Sequence, residues 1–349
     1  MANKTMDLAL QGGGSHGALT WGVLDRLLED RRLHISGVSG TSAGAMNAVV
    51  MAEGLDRDGR DGARQALHDF WKAVSDAARF SPIQRTLWDR LTDNFSLEHS
   101  PTYLWFEQLT RMYSPYELNP LDLNPLRELL LETVDFKRVN HCQTMQVHVT
   151  ATNVRTGRGR TFTQPDLSVD SVMASACLPF MFKAVEIDGE AYWDGGYIGN
   201  PALYPLVEDP DTRDLVVVQI NPPHRRDVPR TAREIINRVN EITFNASLIK
   251  ELRSIALLHR IIDSEGLESE RYRDIYVHLI HAHEEVESLE ASSKLNAEWA
   301  YLCYLRERGR NWADRFLDRH FDDLGKRSSF DMTSLFSDSF SPPGSADPA

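Results

Sequence analysis

The sequence predicts an α/β fold around a mainly parallel central sheet, with a helical insertion and C-terminal cover helices. Two strand, turn and helix units follow one another near the N-terminus, and three later β-branched runs are separated by helical stretches. Parallel strands need crossover connections, which helices usually supply. At 349 residues the chain is longer than one core usually grows, so we expect one large domain with insertions or two domains.

Each predicted strand is a short apolar run that ends at small or polar residues. The first run, residues 6–11, ends at three glycines, and leucines at helical spacing follow over residues 18–29. The second run, residues 33–38, ends at a glycine-rich turn, and a helix of small residues follows over 45–52. The three later strand-like runs are residues 146–153, 214–221 and 274–281.

The region 55–140 has helical periodicity and many aromatic residues, and we interpret it as a helical insertion. The aromatic side chains form either the insertion's own core or an apolar mouth for a substrate, and core packing is the commoner role. They are Phe70, Trp71, Phe80, Trp88, Phe95, Tyr103, Trp105, Phe106, Tyr113 and Tyr116.

The second half of the chain predicts two long cover helices, residues 231–262 and 295–321. The first has one apolar face, formed by Ile235, Val239, Ile242, Ile249, Leu252 and Ala256. From residue 328 the chain is rich in Ser, Asp and Pro, which predicts a mobile tail. The predicted divisions are a main domain over 5–222, a helical extension with one further strand over 223–327, and the tail over 328–349.

Composition and charge exclude several classes of protein. Hydrophobic residues make up 42% of the chain and charged residues 26%, enough apolar surface for a folded core. The net charge of −13 disfavours binding to phosphate backbones, so no nucleic acid is expected as a partner. Cys142, Cys177 and Cys303 are far apart and odd in number, which excludes a disulfide scaffold and gives no metal-ligand spacing.

No targeting or membrane-spanning segment is apparent. The apolar run near the N-terminus is too short for a signal peptide, and no stretch approaches the roughly 18 to 20 apolar residues of a membrane span. We therefore expect a cytoplasmic protein that contacts membranes only transiently, at their surface. The sequence leaves its oligomeric state open.

The turn after the second strand carries a candidate nucleophile. Gly40, Ser42 and Gly44 fit the pattern G-x-S-x-G, in which small flanking residues allow a sharp strand-to-helix turn to expose a serine hydroxyl. The partial positive charge of the helix N-terminus there favours a developing alkoxide. The pattern is short, and an ordinary turn of small residues would also satisfy it.

The turn after the first strand is a second glycine-rich loop. It consists of Gly12, Gly13, Gly14, Ser15, His16 and Gly17. Such a loop can bind a dinucleotide or can present free backbone N–H groups to an anion. A dinucleotide-binding fold has an acidic residue at the end of the next strand, where it binds the ribose. In this chain the corresponding strand is followed by Ser42. The anion-binding interpretation therefore fits better, as an oxyanion hole beside a nucleophile.

A candidate general base follows an apparent hairpin over residues 185–193. Asp194 stands between Trp193 and the pair Gly195 and Gly196. By itself the pattern is typical of an Asp-Gly turn. The neighbouring aromatic residues can also exclude water from the carboxylate and raise its proton affinity, as a base for a serine requires.

These three segments, in this order, resemble the patatin-like phospholipase family of bacterial type. The resemblance covers most of residues 5–222 and includes three further stretches. They are Thr150-Ala151-Thr152-Asn153 with Thr156-Gly157, Ala174-Ser175-Ala176-Cys177-Leu178-Pro179, and Gly196-Tyr197-Ile198-Gly199-Asn200-Pro201. A weaker resemblance to the C-terminal part of some bacterial members covers residues 292–296 and the helix that follows.

The resemblance implies a three-layer fold and a serine lipid acyl hydrolase with a Ser–Asp dyad. Ser42 would attack an ester carbonyl, Asp194 would take the proton, and backbone amides of the loop at Gly12, Gly13 and Gly14 would hold the oxyanion. It implies a lipid or other acyl ester as substrate. We expect no cofactor or metal, because a carboxylate, a hydroxyl and backbone amides already supply base, nucleophile and oxyanion donors. The family commonly has Lys or Arg at the position of His16, so a contact made by that cation is not carried over to this chain.

Two other functions remain open on the residues alone. An α/β-hydrolase-type esterase uses the same serine pattern with a late histidine, for which His281 or His283 would serve, but that fold lays down several strands before its nucleophile. A catalytically silent lipid-binding protein of the same fold is the second. Labelling by a fluorophosphonate separates these functions, because only an activated serine reacts.

Overall fold

The computed structural model describes residues 4–92, 94–208, 212–265, 274–282, 285–286 and 289–332. The strands in these ranges are β1 (Lys4–Leu10), β2 (Leu33–Gly40), β3 (Gln146–Asn153), β4 (Gly159–Thr163), β5 (Val185–Ile187), β6 (Glu190–Asp194), β7 (Asp214–Val218) and β8 (Tyr276–Ile280). The first helices are α1 (Gly17–Glu29), α2 (Ala43–Ala78), α3 (Leu87–Leu91), α4 (Pro101–Met112), α5 (Pro115–Leu118) and α6 (Pro125–Thr133). The others are α7 (Phe136–His141), α8 (Val169–Ser175), α9 (Tyr204–Val207), α10 (Ala232–Glu265) and α11 (Trp299–His320).

The eight strands form one sheet in the order β5-β6-β3-β2-β1-β7-β8, with β4 paired to β3. The pairs β1–β2, β1–β7, β2–β3 and β7–β8 are parallel. The pairs of β3 with β4 and β6, and of β5 with β6, are antiparallel. The predicted mainly parallel α/β fold is confirmed, and an antiparallel hairpin closes one side of it.

The sheet lies between two apolar cores. Leu8 and Leu10 of β1 belong to a core that includes residues of α1, α2 and α11. Ala9 belongs to a second core, to which α10 contributes Leu248 and Leu252. Because side chains alternate between the two faces of a strand, these memberships put helices on both faces. The result is the three-layer arrangement expected from the sequence.

The aromatic residues of the 55–140 region divide between two environments. The helix α2 is longer than the sequence indicated and bends at Asp58 and Gly59, where Gly59 has a φ of 61°. Its second half carries Phe70 and Trp71 into the core beneath α1, so these two residues do not belong to a separate insertion core. Trp88 and Trp105 are instead 71% and 68% exposed. The insertion therefore presents much of its aromatic surface to solvent.

The predicted apolar face of the first cover helix is buried along only part of its length. In α10, Leu252 and Ala256 are buried, as expected. Ile235, Val239 and Ile242 are exposed, because the N-terminal half of the helix does not pack on the second core. The helical periodicity therefore predicts the helix correctly, but its prediction that the apolar face is buried is wrong for the first three turns.

The helix α11 packs directly on α1 and completes the first core. Its Tyr301, Leu305 and Trp312 are fully buried there. Gly22 of α1 and Gly309 of α11 allow the two backbones to touch, since a Cβ on either would overlap a carbonyl oxygen of the other helix. The C-terminal region thus shares its core with the first strand and helix of the chain.

Residues 328–332 lie against β8. The N–H of Val277 donates to Ser328 Oγ at 3.0 Å, and the N–H of Phe330 donates to the carbonyl oxygen of Val277 at 3.1 Å. Residues 333–349, the remainder of the predicted tail, lie outside the described residues.

Candidate active site

The turn between β2 and α2 forces Ser42 into an unusual backbone conformation. Ser42 has a φ of 54° and a ψ of −121°. Residues other than glycine rarely adopt a positive φ. The turn is tight because Gly44 lies against β1, where a Cβ would overlap the carbonyl oxygen of Leu10. Gly40, at the end of β2, faces the backbone of Gly44 just as closely. Both glycines of the serine pattern are therefore required by the geometry of the turn.

The conformation of Ser42 is stabilised from two sides. Its backbone N–H donates a 3.0 Å hydrogen bond to the hydroxyl oxygen of Ser175, at the end of α8. Its carbonyl oxygen accepts from the N–H of Met46 at 3.1 Å, in the first turn of α2. Strained serines of this kind occur mainly where function maintains them.

Asp194 is a buried carboxylate at the end of β6. Its side chain accepts a 2.7 Å hydrogen bond from the N–H of Gly196. Its backbone is held by a 2.8 Å bond to the carbonyl oxygen of Cys177 and by a 2.8 Å bond from Thr152 Oγ1. Burial raises the pKa of Asp194 to about 7, although hydrogen bonds from Gly196 and from the Ser42 side chain both lower it. The group is therefore poised to exchange a proton near neutral pH.

The glycine loop after β1 lies beside the serine. The N–H of Gly12 donates to Asn200 Oδ1 at 2.7 Å, and its carbonyl oxygen accepts from Asn221 Nδ2 at 2.7 Å. A Cβ on Gly12 would lie 2.7 Å from the Cβ of Ser42, so only glycine allows the loop this close. Within the described chain, the backbone N–H groups of Gly13 and Gly14 donate to no protein acceptor.

The remaining residues of the sequence motifs support these turns. Ser15 and His16 are buried in a short 3-10 helix over Gly14–His16, and Gly17 begins α1. His16 Nε2 lies 2.8 Å from Ser293 Oγ. Burial lowers the pKa of His16 well below its usual value, and the nearby Lys294 and Arg225 act in the same direction. Gly195 and Gly196 form a second 3-10 turn directly after Asp194.

The serine, the aspartate and the glycine loop line one cavity of about 110 Å³. Its lining residues are Gly12, Gly13, Gly14, Ser42, Leu178, Asp194, Asn200, Asn221, Phe244, Lys294 and Leu295. The structure thus brings together all three predicted segments, from the ends of β1, β2 and β6. The apolar side chains of the cavity are Leu178, Phe244 and Leu295, and the other lining residues are glycine or polar.

Several residues of this cavity could not be found by the motif search. Asn200 and Lys294 were quoted only as parts of a resemblance, and Asn221 and Phe244 were not singled out in the sequence. Asn221, Phe244 and Lys294 reach the cavity from the segment after β7, from α10 and from the segment before α11, which are distant along the chain. A single polar residue after a strand is too common to predict such a role.

The histidines considered for a triad do not line the cavity. His281 follows β8 and is absent from the cavity wall, and His283 lies outside the described residues. Across the described ranges, no three His, Cys, Asp or Glu side chains come together as a group of metal ligands. The thiol of Cys177 is buried, which raises its pKa to about 12.

Comparison with protein families identifies the fold. Residues 8–207, more than half of the chain, match the family model described as patatin-like phospholipase. The chain belongs to the patatin-like phospholipase family. The matched region begins in β1 and ends in α9, so it includes both Ser42 and Asp194. No match is found among curated proteins.

Two solved structures are similar to this patatin-like chain over most of its length. VipD from Legionella pneumophila is 14% identical, with a TM-score of 0.42, and the similarity covers 91% of this chain and 68% of VipD. ExoU, in its heterodimeric complex with SpcU from the type III secretion system of Pseudomonas aeruginosa, is 14% identical with a TM-score of 0.37. That similarity covers 92% of this chain and 52% of ExoU.

None of the helices described in this patatin-like protein combines the length and the apolar character that a bilayer-crossing segment requires.

Proposed function

We propose that the protein is a serine lipid acyl hydrolase, a phospholipase A-type or related carboxylic ester hydrolase, that uses Ser42 and Asp194 as a catalytic dyad. The observation that carries the proposal is the shared cavity. It contains a serine on a strained turn and a buried carboxylate whose pKa is raised to about 7. Family membership supports the same class of reaction.

In the first half of the reaction, ionised Asp194 takes the proton of the Ser42 hydroxyl. The Ser42 oxygen attacks the ester carbonyl carbon, and the carbonyl oxygen becomes an oxyanion. When this intermediate collapses, the bond to the alcohol breaks, and the alcohol leaves with the proton from Asp194. An acyl group then remains on Ser42.

In the second half, Asp194 accepts a proton from a water molecule, whose oxygen attacks the acyl group. The fatty acid leaves as the bond to Ser42 breaks, and the serine recovers its proton from Asp194. One carboxylate therefore acts as base and then as acid in each half, as a dyad without histidine requires.

The N–H groups of Gly13 and Gly14 are the proposed oxyanion donors. They have no acceptor within the described chain, and they line the cavity next to Ser42. The N–H of Gly12 already bonds to Asn200, so we assign Gly12 to the shape of the loop. Fixed donors of this kind favour the transition state because they need no reorganisation when charge develops.

The exposed apolar side chains of the insertion are the proposed contact with a lipid surface. Arg233 of α10 forms a 3.0 Å salt bridge with Glu107 of α4, so the insertion lies beside the helix that supplies Phe244 to the cavity wall. Trp88 and Trp105 project from α3 and α4. A lipid interface would bury this apolar surface.

The test is hydrolysis of mixed lipids and labelling by a fluorophosphonate, with the variants Ser42→Ala and Asp194→Asn. We expect each variant to lose at least three orders of magnitude in hydrolysis, because nucleophile and base act as a unit. Ser254→Ala and Asp61→Asn, at exposed positions, are matched controls that keep full activity. More than about a tenth of the activity in either dyad variant would reject the assignment.

Two further arms address the other possible functions. Treatment with EDTA should leave hydrolysis unchanged, since the dyad and the amides supply every group that the reaction needs. If the wild-type chain binds lipids but is neither labelled nor active, it is a silent lipid-binding protein of this fold.

A further inference from the structure

A lysine from the C-terminal region reaches the active cavity. Lys294 belongs to the 3-10 helix Ala291–Leu295 and lines the cavity with Ser42 and Asp194. Its Nζ donates a 2.9 Å hydrogen bond to Asn221 Oδ1. Asn221 donates in turn to the carbonyl oxygen of Gly12, so one side chain connects the ammonium group to the glycine loop.

The backbone that carries Lys294 is fixed against the glycine loop. Gly14 has a φ of 59°, and a Cβ on it would lie 2.5 Å from the carbonyl oxygen of Lys294. The hydroxyl of Ser293 donates to the carbonyl oxygen of Glu290 at 2.7 Å and accepts from the hydroxyl of Tyr301 at 2.9 Å. The 3-10 helix is therefore fixed at Ser293 and at the backbone of the lysine itself.

His16 contributes no charge to this arrangement. The Ser293 hydroxyl has a single hydrogen, which it donates to Glu290, so the 2.8 Å contact with His16 requires the ring to donate from Nε2. The other ring nitrogen of His16 is buried and has no partner in the described chain. A proton on that nitrogen would be a buried, unpaired N–H, which disfavours the charged ring and agrees with the lowered pKa of His16. Lys294 is thus the cation among the residues that line the cavity.

Among the described residues, the amino group of Lys294 has no close counter-ion, and burial lowers its pKa, an effect that an anionic ligand would oppose. Within the described chain, no carboxylate lies at salt-bridge distance from it. Glu241 acts on it from further away and is itself paired with Arg225 at 2.6 Å and Arg238 at 3.2 Å. A cation in a cavity with one neutral hydrogen-bond partner favours an anionic ligand, because the charge-assisted hydrogen bond compensates for the hydration free energy that the cation loses on burial.

We propose that Lys294 binds the phosphate of a phospholipid substrate and so determines specificity, selecting esters next to a phosphodiester over uncharged esters. The inference rests on the proposed hydrolase function of the same cavity. A phosphate oxygen accepts a charge-assisted hydrogen bond from Nζ, while the ester carbonyl faces Ser42. Leu178, Phe244 and Leu295 of the same cavity contact the acyl part of the substrate.

The first experiment compares substrates in neutral-detergent mixed micelles. Lys294→Met keeps an unbranched side chain, one atom shorter, and removes its charge. Lys250→Met makes the same change at the exposed surface of α10. We expect Lys294→Met to lose roughly ten- to a hundredfold in kcat/KM on phosphatidylcholine, the range for a charge-assisted hydrogen bond. Activity on diacylglycerol of the same acyl chains should fall much less than activity on phosphatidylcholine, and Lys294→Arg should recover part of the loss on phosphatidylcholine.

The second experiment does not depend on turnover. Calorimetry with Ser42→Ala compares dodecyl phosphate with the uncharged dodecyl maltoside, and then repeats both with Ser42→Ala/Lys294→Met. We expect the lysine change to weaken dodecyl phosphate at least tenfold and to leave dodecyl maltoside unchanged. Inorganic phosphate should bind far more weakly than dodecyl phosphate, because it lacks the apolar contacts.

The outcomes separate the proposals. Equal losses on phosphatidylcholine and diacylglycerol mean that Lys294 serves the reaction or the fold in general, and they overturn the specificity role. Unchanged binding of dodecyl phosphate, or binding of inorganic phosphate with equal affinity, also overturns it. If the wild-type chain hydrolyses no ester but binds dodecyl phosphate through Lys294, the hydrolase proposal fails while the phosphate site stands.

Discussion

The side-chain hydroxyl of Thr41 donates a 2.7 Å hydrogen bond to the carbonyl oxygen of Gly199. Thr41 precedes Ser42, and Gly199 lies in the turn that follows Asp194, so this bond joins the nucleophile turn to the aspartate turn. Thr41 is fully buried, and no water can replace the bond without opening the packing. The relative position of the two proposed catalytic groups therefore depends on Thr41, which occupies a position of the serine pattern where any residue is allowed.

The variant Thr41→Val should lower both stability and activity. It keeps the shape of the side chain and leaves the carbonyl of Gly199 buried without this donor. We expect a loss of about 1 to 3 kcal/mol in the free energy of unfolding, measured with urea, and a fall in kcat larger than any change in KM. Thr20→Val is the matched control, because the buried hydroxyl of Thr20 has no partner in the described chain. Equal effects of the two changes would show that the Thr41 bond is unimportant.

The rate of hydrolysis should rise with pH through neutrality. Asp194 must be ionised to accept a proton, and burial raises its pKa to about 7. We therefore expect kcat/KM to increase from pH 5 to pH 8 with a midpoint near 7, and the rate of fluorophosphonate labelling to follow the same curve. A rate independent of pH over this range would contradict the role of Asp194 as the base.

The same carboxylate should make the folded state less stable as pH rises. In the folded chain the pKa of Asp194 is about 7, against an ordinary value of 3.8, so between these values the folded state binds more protons than the unfolded state. The contribution of Asp194 to stability is thus greatest at low pH and falls up to about pH 7. The variant Asp194→Asn should gain about 3 kcal/mol over wild type between pH 5 and pH 8.

Urea unfolding at the two pH values measures this difference. The exposed change Asp61→Asn should show no comparable dependence on pH. A constant difference between Asp194→Asn and wild type would mean that Asp194 titrates at the same pH in both states.

The exposed tryptophans of the insertion should contribute to liposome binding. We expect Trp88→Ala and Trp105→Ala each to weaken flotation with neutral liposomes by roughly tenfold, since burying a large apolar side chain contributes about 1.5 to 3 kcal/mol. Leu257→Ala, a half-exposed apolar position on α10, should have little effect. If neither tryptophan change alters liposome binding or the hydrolysis of long-chain lipids, the insertion has a purely structural role.

The sequence was informative where short-range geometry constrains residue type. The turn at Ser42 requires glycine at positions 40 and 44, so the pattern and the structure agree there. It was uninformative for contacts between distant segments, such as the bond between Lys294 and Asn221. Helical periodicity predicts an apolar face but does not indicate which element packs on it. In α10 no described element of the second core covers the first turns, and Ile235 and Val239 are exposed.

The contact between α1 and α11 sets the order in which a newly made chain can complete its active cavity. The segments with Ser42 and Asp194 leave the ribosome well before residue 294, and α11, whose Trp299 contacts Trp21 of α1, leaves after them. A nascent chain stopped before Trp299 therefore lacks one side of its first core, although it already contains both reactive groups. We expect such ribosome-bound chains to resist fluorophosphonate labelling until α11 has left the ribosome, so that the proposed hydrolase activity would be absent during synthesis.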